Sequence, residues 1–240
     1  MRLDIHLSNT ENIQSRNKAN ELIKSKKIKV NGKLITKPSY KVLEDDKIEI
    51  LEEDFYVSRA SYKLKYFLED LKITFENKHA LDIGSSTGGF TQILLENSIE
   101  RVTCVDVGSN QLHEKLRDNK KIEFFENTDI RDFKPSYKYD LIVCDVSFIS
   151  VLNIIKEIDS LAKEDIIILF KPQFEVGPKI KRDKRGMVLD TNAIENARLK
   201  FIQTIDLLNW KLQYNAPSKL EGKDGNIEEL FHFKKDNNGC

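Results

Sequence analysis

From residue 79 onward the chain alternates apolar runs of strand length with amphipathic runs of helix length, and this rhythm constrains the fold more than any other feature of its 240 residues. HALDIG (79–84) reads as a strand and GGFTQILLEN (88–97) as a helix. RVTCVDV (101–107) follows as a strand, SNQLHEKLRDN (109–119) as a helix, IEFFEN (122–127) as a short strand and YDLIVCDV (139–146) as a long one. Then come a helix over 151–162, the strand DIIILF (165–170), a helix over 192–209, and strands at WKLQYNA (210–216) and IEELFHF (227–233). Near-continuous apolar strands separated by helices predict a mainly parallel sheet covered on both faces. The last two strands are joined by a polar loop with no helix, which predicts an antiparallel edge.

The front of the chain obeys a different pattern. Residues 1–43 carry ten Lys and Arg against three Asp and Glu, although the whole chain has a formal net charge of zero. A helix is expected around NKANELIKS (17–25), with Ala19, Leu22 and Ile23 at helical spacing. IKVNGKLI (28–35) reads as a hairpin about Asn31-Gly32, and KIEIL (47–51) as a third strand. A basic front on a neutral whole suggests an anion-binding module. Arg2, Arg16, Lys18, Lys24, Lys29 and Lys33 are its candidate RNA contacts, supplying affinity and salt dependence rather than sequence readout. Arg16 and Lys18 open a predicted helix, where cations are disfavoured unless an anion compensates. The expected organisation is a module over 1–51, a linker over 52–62, an α/β domain over 63–235 and a tail over 236–240. SRASYKLKYFLEDL (58–71) forms an amphipathic helix with Leu64, Phe67, Leu68 and Leu71 on one face. The small residues Ser58, Ala60 and Ser61 make 52–62 a candidate hinge.

Composition excludes several classes. Cys104, Cys144 and Cys240 are far apart and form no CxxC, which supports neither a disulfide framework nor a zinc site, and the first two sit in apolar runs as buried thiols. No apolar stretch approaches the ~20 residues of a membrane-spanning helix. The start, MRLDIHLSNT, lacks an apolar signal region, so a cytoplasmic location is expected.

In open α/β sheets ligands bind beyond the carboxyl ends of the strands. There the sequence places Asp82 and Gly84 with the loop Ser85, Ser86, Thr87, Gly88, Gly89 and Phe90, then Asp106, Asp145 and Lys171. Any one of these is an ordinary solvated strand end; four together mark a site. The glycine spacing does not fit GxGxxG, and the loop has no P-loop lysine. Asp106 can accept hydrogen bonds from ribose hydroxyls, so an adenosyl ligand without phosphates, S-adenosylmethionine, suits the loop better than a nicotinamide cofactor. Asp129 stands either as a carboxylate for the adenine amino group or as a loop aspartate. Asp145 and Lys171 would face the methyl group, where a lysine of depressed pKa can take the proton of a ribose 2′-hydroxyl. No metal is needed, because a sulfonium already makes the methyl electrophilic. A second basic run, Lys179, Lys181, Arg182, Lys184 and Arg185, reads either as an RNA clamp or as a mobile loop.

These residues carry a family resemblance. RLDIHL, SRNKANELI, IKVNGKLITKPS and DKIEI resemble the S4 RNA-binding domain. Residues 57–234 resemble the FtsJ-like ribosomal RNA methyltransferase domain through SRASYKL, LDIGSSTGGFT, CDVSFIS, FKPQFEVG and GKDGNIEEL. The joined arrangement resembles the TlyA family, known both as haemolysins and as ribosomal RNA cytidine-2′-O-methyltransferases. The resemblance implies a Rossmann-like S-adenosylmethionine-dependent methyltransferase preceded by a small α+β S4 domain. Its implied partner is ribosomal RNA or a ribosomal subunit, with no metal, no membrane and a monomeric state. It also implies a Lys-Asp-Lys-Glu tetrad on Lys63, Asp145, Lys171 and Glu228. Lys171 would be the base, Asp145 and Lys63 would tune and position it, and Glu228 would orient the ribose, with the neighbouring Glu229 as the alternative to Glu228. Without the resemblance, Lys63 and Glu228 read as solvated charges. The chain departs from the family in having Ala60-Ser61 where glycine is usual after SR. It resembles the shorter version of the family, which implies a cytidine of the large-subunit RNA as target. A flipped-out nucleotide is expected, because a 2′-hydroxyl in a duplex is reachable but poorly oriented for in-line attack. Two readings compete: a non-catalytic RNA-binding or ribosome-assembly protein, disfavoured by the intact 82–90 loop with Lys171, and a membrane-lytic protein, disfavoured by the lack of any spanning segment.

Overall fold

A computed structural model describes residues 1–9, 13, 15–43, 45–51 and 56–235. Residues 52–55 of the expected linker and the tail 236–240 lie outside the described residues. The chain divides into two compact units between residues 55 and 56.

The smaller unit contains α1 (Leu3–Ser8), α2 (Arg16–Lys24), β1 (Ile28–Val30), β2 (Lys33–Leu34) and β3 (Ile48–Ile50). Its antiparallel sheet has the order β2-β1-β3. Asn31 and Gly32 both have positive φ, 51° and 76°, as a two-residue turn matched to strand twist requires. Helix α1 falls outside the sequence expectation. Six residues are too few for a periodic signal, and only tertiary burial of Leu3 and Leu7, one turn apart, explains it. The anion that compensates the basic start of α2 is internal. Buried Asp4 accepts from Arg2 Nε at 2.9 Å and from Arg16 Nε at 2.8 Å. Arg2, and then Arg16, hold its carboxyl well below the usual carboxylate range. Ser15 caps the helix by accepting from the Lys18 amide. Lys18 itself lies 3.7 Å from Glu21, whereas Lys24 and Lys33 are exposed and Lys29 is half-buried.

The larger unit runs α3 (Arg59–Leu71), β4 (His79–Ile83), α4 (Gly89–Glu96), β5 (Arg101–Val105), α5 (Glu114–Arg117), β6 (Ile122–Phe125), β7 (Tyr139–Cys144), α6 (Ile155–Leu161), β8 (Ala162–Phe170), α7 (Pro172–Glu175), α8 (Thr191–Leu207), β9 (Trp210–Pro217) and β10 (Glu229–Lys235). The sheet order is β6-β5-β4-β7-β8-β10-β9. The first five strands are parallel, and β10 runs antiparallel to both its neighbours. The antiparallel edge expected from the sequence is therefore the β10–β9 pair, with β10 inserted between β8 and β9. The chain leaves β4 toward β6 and then returns to β7, so the topological switch lies between β4 and β7.

Alternation along the strands divides the core between the two faces. Leu141 and Val143 of β7 join Leu64, Phe67, Ile93 and Leu94 on one side. Ile142 and Cys144 join Phe201, Trp210, Phe231 and Phe233 on the other. Truncating a buried aliphatic such as Ile142 to alanine should cost about 2–5 kcal/mol, from lost transfer energy and the cavity left behind. Cys104 and Cys144 are buried free thiols, as expected, and burial pushes Cys144 up to about 12.

Three local expectations shift. The helix over 109–119 contracts to the single turn α5, because its apolar residues Leu112 and Leu116 tuck under Gly88, where a Cβ would meet them at 2.7 and 2.4 Å. The helix over 151–162 begins as a 3-10 turn at Val151–Asn153 and yields Ala162 to β8. The linker expected over 52–62 gives its last residues to α3, whose start packs onto α4: a Cβ on Gly89 would lie 2.1 Å from Ser58 Oγ and 3.0 Å from the Ser61 amide.

Candidate active site

The switch point assembles two adjoining cavities around the glycine loop. At Gly84, φ is 78° and a Cβ would approach the Asp145 carbonyl oxygen to 3.1 Å, so the loop and the end of β7 run nearly in contact. Gly88, at φ 89°, turns the chain into α4. Asp82 closes that turn from below: its Oδ2 accepts from the Thr91 amide at 3.0 Å and the Thr91 hydroxyl at 2.6 Å. Its Oδ1 is buried with no partner among the described residues. Burial pushes the carboxyl up to about 7, against the pull of the Thr91 hydroxyl. Beside it lies a cavity of about 180 Å³, bounded by Ser58, Ala60, Asp82, Gly84, Ser85, Ser86, Thr87, Gly89, Phe90, Asp145, Ser147 and Lys171.

A larger cavity of about 440 Å³ shares Gly84, Ser86, Asp145 and Ser147 with the first. Its size lies in the range of small-molecule sites. Asp106 stands in its wall, with Oδ2 accepting from the Ser86 amide at 2.8 Å and Oδ1 from the Gly108 amide at 2.7 Å. Each oxygen can accept a further bond. Val105, Val107, Ile130 and Val146 give the same wall an apolar surface. Asp129 also lines it, but its carboxylate is gripped by Arg131, at 2.9 Å from Nε and 2.6 Å from Nη2, and is pulled down to about 2. Asp129 is thus a paired loop aspartate on the cavity rim.

Together the cavities suit a ligand with an ammonium for Asp82, hydroxyls for Asp106, a flat ring against the valines and no phosphates. Ser58 and Ala60 were not among the sequence candidates. They line the smaller cavity because α3 packs its first turn on Gly89, and no linear pattern announces that contact.

Beyond the smaller cavity four charged side chains meet. Lys171, at the start of α7, places Nζ 2.5 Å from Asp145 Oδ1 and donates to Ser147 Oγ at 2.9 Å. Lys63, on the buried face of α3, pairs with Glu228 Oε2. Gln173 Nε2 donates to Glu228 Oε1 at 3.0 Å. Burial pushes the Asp145 carboxyl up; Lys171 and then Lys63 pull it down, and Glu228 pushes it up, so the four charges act on one another. Lys63 and Glu228 are 9% and 3% exposed, unlike the solvated charges their sequence positions suggest. Of the two adjacent glutamates, Glu228 meets Lys63, while Glu229 takes Arg198 at 2.8 and 3.1 Å and Asn215 at 2.6 Å. A Cβ on Gly222 would come within 2.7 Å of Glu228 Oε1, so the glycine leaves room for the carboxylate.

The one-turn helix α7 arranges more of this site than its sequence suggested. Gln173 holds Glu228, and Phe174 packs against Phe148 at 5.3 Å between ring centroids. Glu175 accepts from Ser150 Oγ at 2.5 Å and from the Val151 amide at 2.8 Å, fixing the loop that follows Asp145. On that loop Phe148 is 89% exposed in a left-handed conformation, φ 69°. A bulky residue in that region is strained, and such strain clusters at functional sites. Gln173, Glu175, Ser147 and Phe148 all lie inside the two conspicuous stretches FKPQFEVG and CDVSFIS. Nothing in their spacing assigned them a contact.

The S4 domain family matches residues 1–48, and the FtsJ-like methyltransferase family matches residues 56–235. The chain is 48% identical to the 23S rRNA (cytidine-2′-O)-methyltransferase TlyA of Campylobacter jejuni, across 98% of its own length and all of the relative's. The chain belongs to the TlyA family of FtsJ-like methyltransferases. A second TlyA relative, the 16S/23S rRNA (cytidine-2′-O)-methyltransferase of Mycobacterium tuberculosis, is 33% identical over 97% of the chain and 89% of the relative. A solved structure from Streptococcus thermophilus, named as a hemolysin, superposes with a TM-score of 0.73 at 28% identity, covering 99% of this chain and 89% of that one. The two TlyA names and the hemolysin name thus meet on one fold. Among the described residues of this TlyA-family chain, no helix is long and apolar enough to cross a membrane.

Proposed function

We propose that the chain transfers a methyl group from S-adenosylmethionine to the 2′-hydroxyl of a cytidine ribose in ribosomal RNA, with large-subunit RNA as the substrate. The observation that carries this reading is Lys171, held between Asp145 and Ser147 at the mouth of the smaller cavity, with the Lys63–Glu228 pair beside it. The name of the Campylobacter relative supports the choice of large-subunit RNA. A ribosomal RNA substrate supports a cytoplasmic location.

The unpartnered Oδ1 of Asp82 and the wall of Asp106 and valines fit the methionine and adenosine parts of this cofactor. The bound cofactor supplies a methyl carbon made electrophilic by its sulfonium. The residues of the chain do the rest. Lys171 would take the proton of the 2′-hydroxyl as that oxygen attacks, and the bound cofactor would supply the methyl group and keep the leaving electron pair on its sulfur. Asp145 and Ser147 hold Lys171 in place, and Asp145 stabilises the ammonium that forms. Glu228, neutralised by Lys63 and steadied by Gln173, accepts from the ribose and fixes its orientation. Phe148, exposed beside Asp145 and backed by Phe174, offers a face on which a flipped base stacks. The exposed lysines of the S4 unit grip the RNA backbone.

The test is transfer of labelled methyl from S-adenosylmethionine to purified ribosomal subunits and naked ribosomal RNA, with the labelled nucleoside identified by mass. Label in a cytidine ribose of the large-subunit RNA is expected. A folded, cofactor-binding protein that labels no RNA would leave a non-catalytic RNA-binding role instead.

A further inference from the structure

The second basic run has a definite structure, and it bears on how the site meets its substrate. Arg182 turns inward: its guanidinium donates to the carbonyls of Ile180 at 2.8 Å, Gln173 at 2.8 Å and Gly177 at 3.0 Å. Asp183 is consumed by the turn it caps, accepting from the Arg185 amide at 2.8 Å and the Met187 amide at 2.9 Å, while Arg182 and Val188 form a β-bridge. This turn locks onto a second one, at 222–226. Buried Asn226 accepts from the Val188 amide at 3.0 Å, and its amide group reaches the Gly186 carbonyl. Gly222 and Gly225 close the second turn through hydrogen bonds to Asn226 and to each other.

With Arg182 and Asp183 spent internally, the interlocked turns leave Lys179, Lys181, Lys184, Arg185 and Lys223 exposed. The acidic groups nearby are fewer: half-buried Asp183 and Asp224, and exposed Glu221. Arg185 remains 71% exposed even with Asp183 3.6 Å away. The turns also abut the catalytic end of the sheet. Asn226 is two residues from Glu228, Gly222 underlies its carboxylate, and Arg182 holds the backbone of Gln173, whose side chain holds Glu228.

We infer that the two interlocked turns form a rigid phosphate-binding surface within the methyltransferase unit, which grips the RNA backbone flanking the nucleotide to be modified. This inference rests on the RNA substrate proposed above. It separates the run into one anchoring arginine and four outward cations, and it makes the surface independent of the basic S4 unit. Rigidity serves the role: cations on a pinned turn lose little freedom on binding, and a fixed distance to Glu228 sets the register of the ribose.

The test compares wild type with the exposed double variant Lys184→Ala/Arg185→Ala. Ribosomal-RNA affinity is measured over a salt series, with S-adenosylhomocysteine affinity and thermal stability as controls. The variant is expected to bind RNA about tenfold more weakly, with the salt slope reduced by roughly one to two, and with both controls unchanged. Wild-type affinity and slope in the variant would overturn the inference while leaving the proposed reaction standing. Failure of wild type itself to bind ribosomal RNA would remove the reaction and the surface together. Binding of phosphatidylglycerol vesicles in place of RNA, lost in the variant, would assign the surface to a membrane and overturn the RNA occupant.

Discussion

Lys171 and Asp145 close an ion pair at 2.5 Å across the ends of β8 and β7, with Ser147 completing the grip on the lysine at 2.9 Å. A base held this way must be both essential and precise in position. Lys171→Met is expected to lower single-turnover methyl transfer by about 10²–10⁴-fold, the usual range for a positioned base, with cofactor affinity nearly unchanged. Ser147→Ala should cost less, about tenfold, because Asp145 still orients the amine. An unaltered transfer rate in Lys171→Met would assign the base elsewhere.

Asp82 gives a pH dependence. Its folded-state value of about 7 lies above its ordinary value, so between about pH 4 and 7 the fold keeps a proton that the unfolded chain has lost. The stability this group supports is complete below the ordinary value and declines as pH rises to about 7. A cationic ligand beside Oδ1 favours the carboxylate, so cofactor binding below pH 7 should release a proton. Calorimetry of S-adenosylhomocysteine binding in two buffers of different ionisation enthalpy should show that release at pH 6, with affinity falling by up to about tenfold per pH unit below 7. Asp82→Asn should abolish the release.

Gly222→Ala probes the seat of Glu228. The added methyl, 2.7 Å from Oε1, must push the carboxylate off Gln173 or Lys63. Misplacement of about 1 Å commonly costs up to about 10²-fold, so kcat should fall tenfold to a hundredfold while cofactor affinity holds. Unchanged kcat would mean that Glu228 does not orient the ribose.

Phe148 separates function from stability. Phe148→Gly relieves a left-handed conformation that costs about 1–3 kcal/mol in a non-glycine residue, so the melting temperature should hold or rise. If the ring stacks on a base, worth about 1–3 kcal/mol, kcat/KM for RNA should fall roughly tenfold to a hundredfold. A loss of both stability and activity would instead make the ring structural.

Much of this was readable in the residues. The glycine loop, Asp106, Asp145 and Lys171 all stand where apolar runs end, so the rule that ligands meet the carboxyl ends of strands located them before any coordinates. Lys63 and Glu228 were legible only through family resemblance, because a helix lysine and a strand-end glutamate carry no local mark of burial. Gln173 and Glu175 could not be assigned at all, and Arg182 was read only as one cation of a basic run. Their roles are contacts made by a one-turn helix and the loop after it, segments too short for periodicity to describe. Helix α1 escaped for the same reason.

The sequence alone determined the alternation, hence the parallel sheet and the edge at which a ligand must enter, because period and strand length are local properties of the chain. It also determined the charge division between a basic front and an acidic remainder. Tertiary structure decided which charges meet. It seated Lys63 on Glu228 rather than Glu229, and spent Arg16 on Asp4 and Arg182 on three backbone carbonyls. It also placed Ser58 and Ala60 in the wall of a cavity. Pairing of groups as far as 165 residues apart depends on how helices pack onto the sheet, and that packing is a property of the whole fold rather than of any window of sequence.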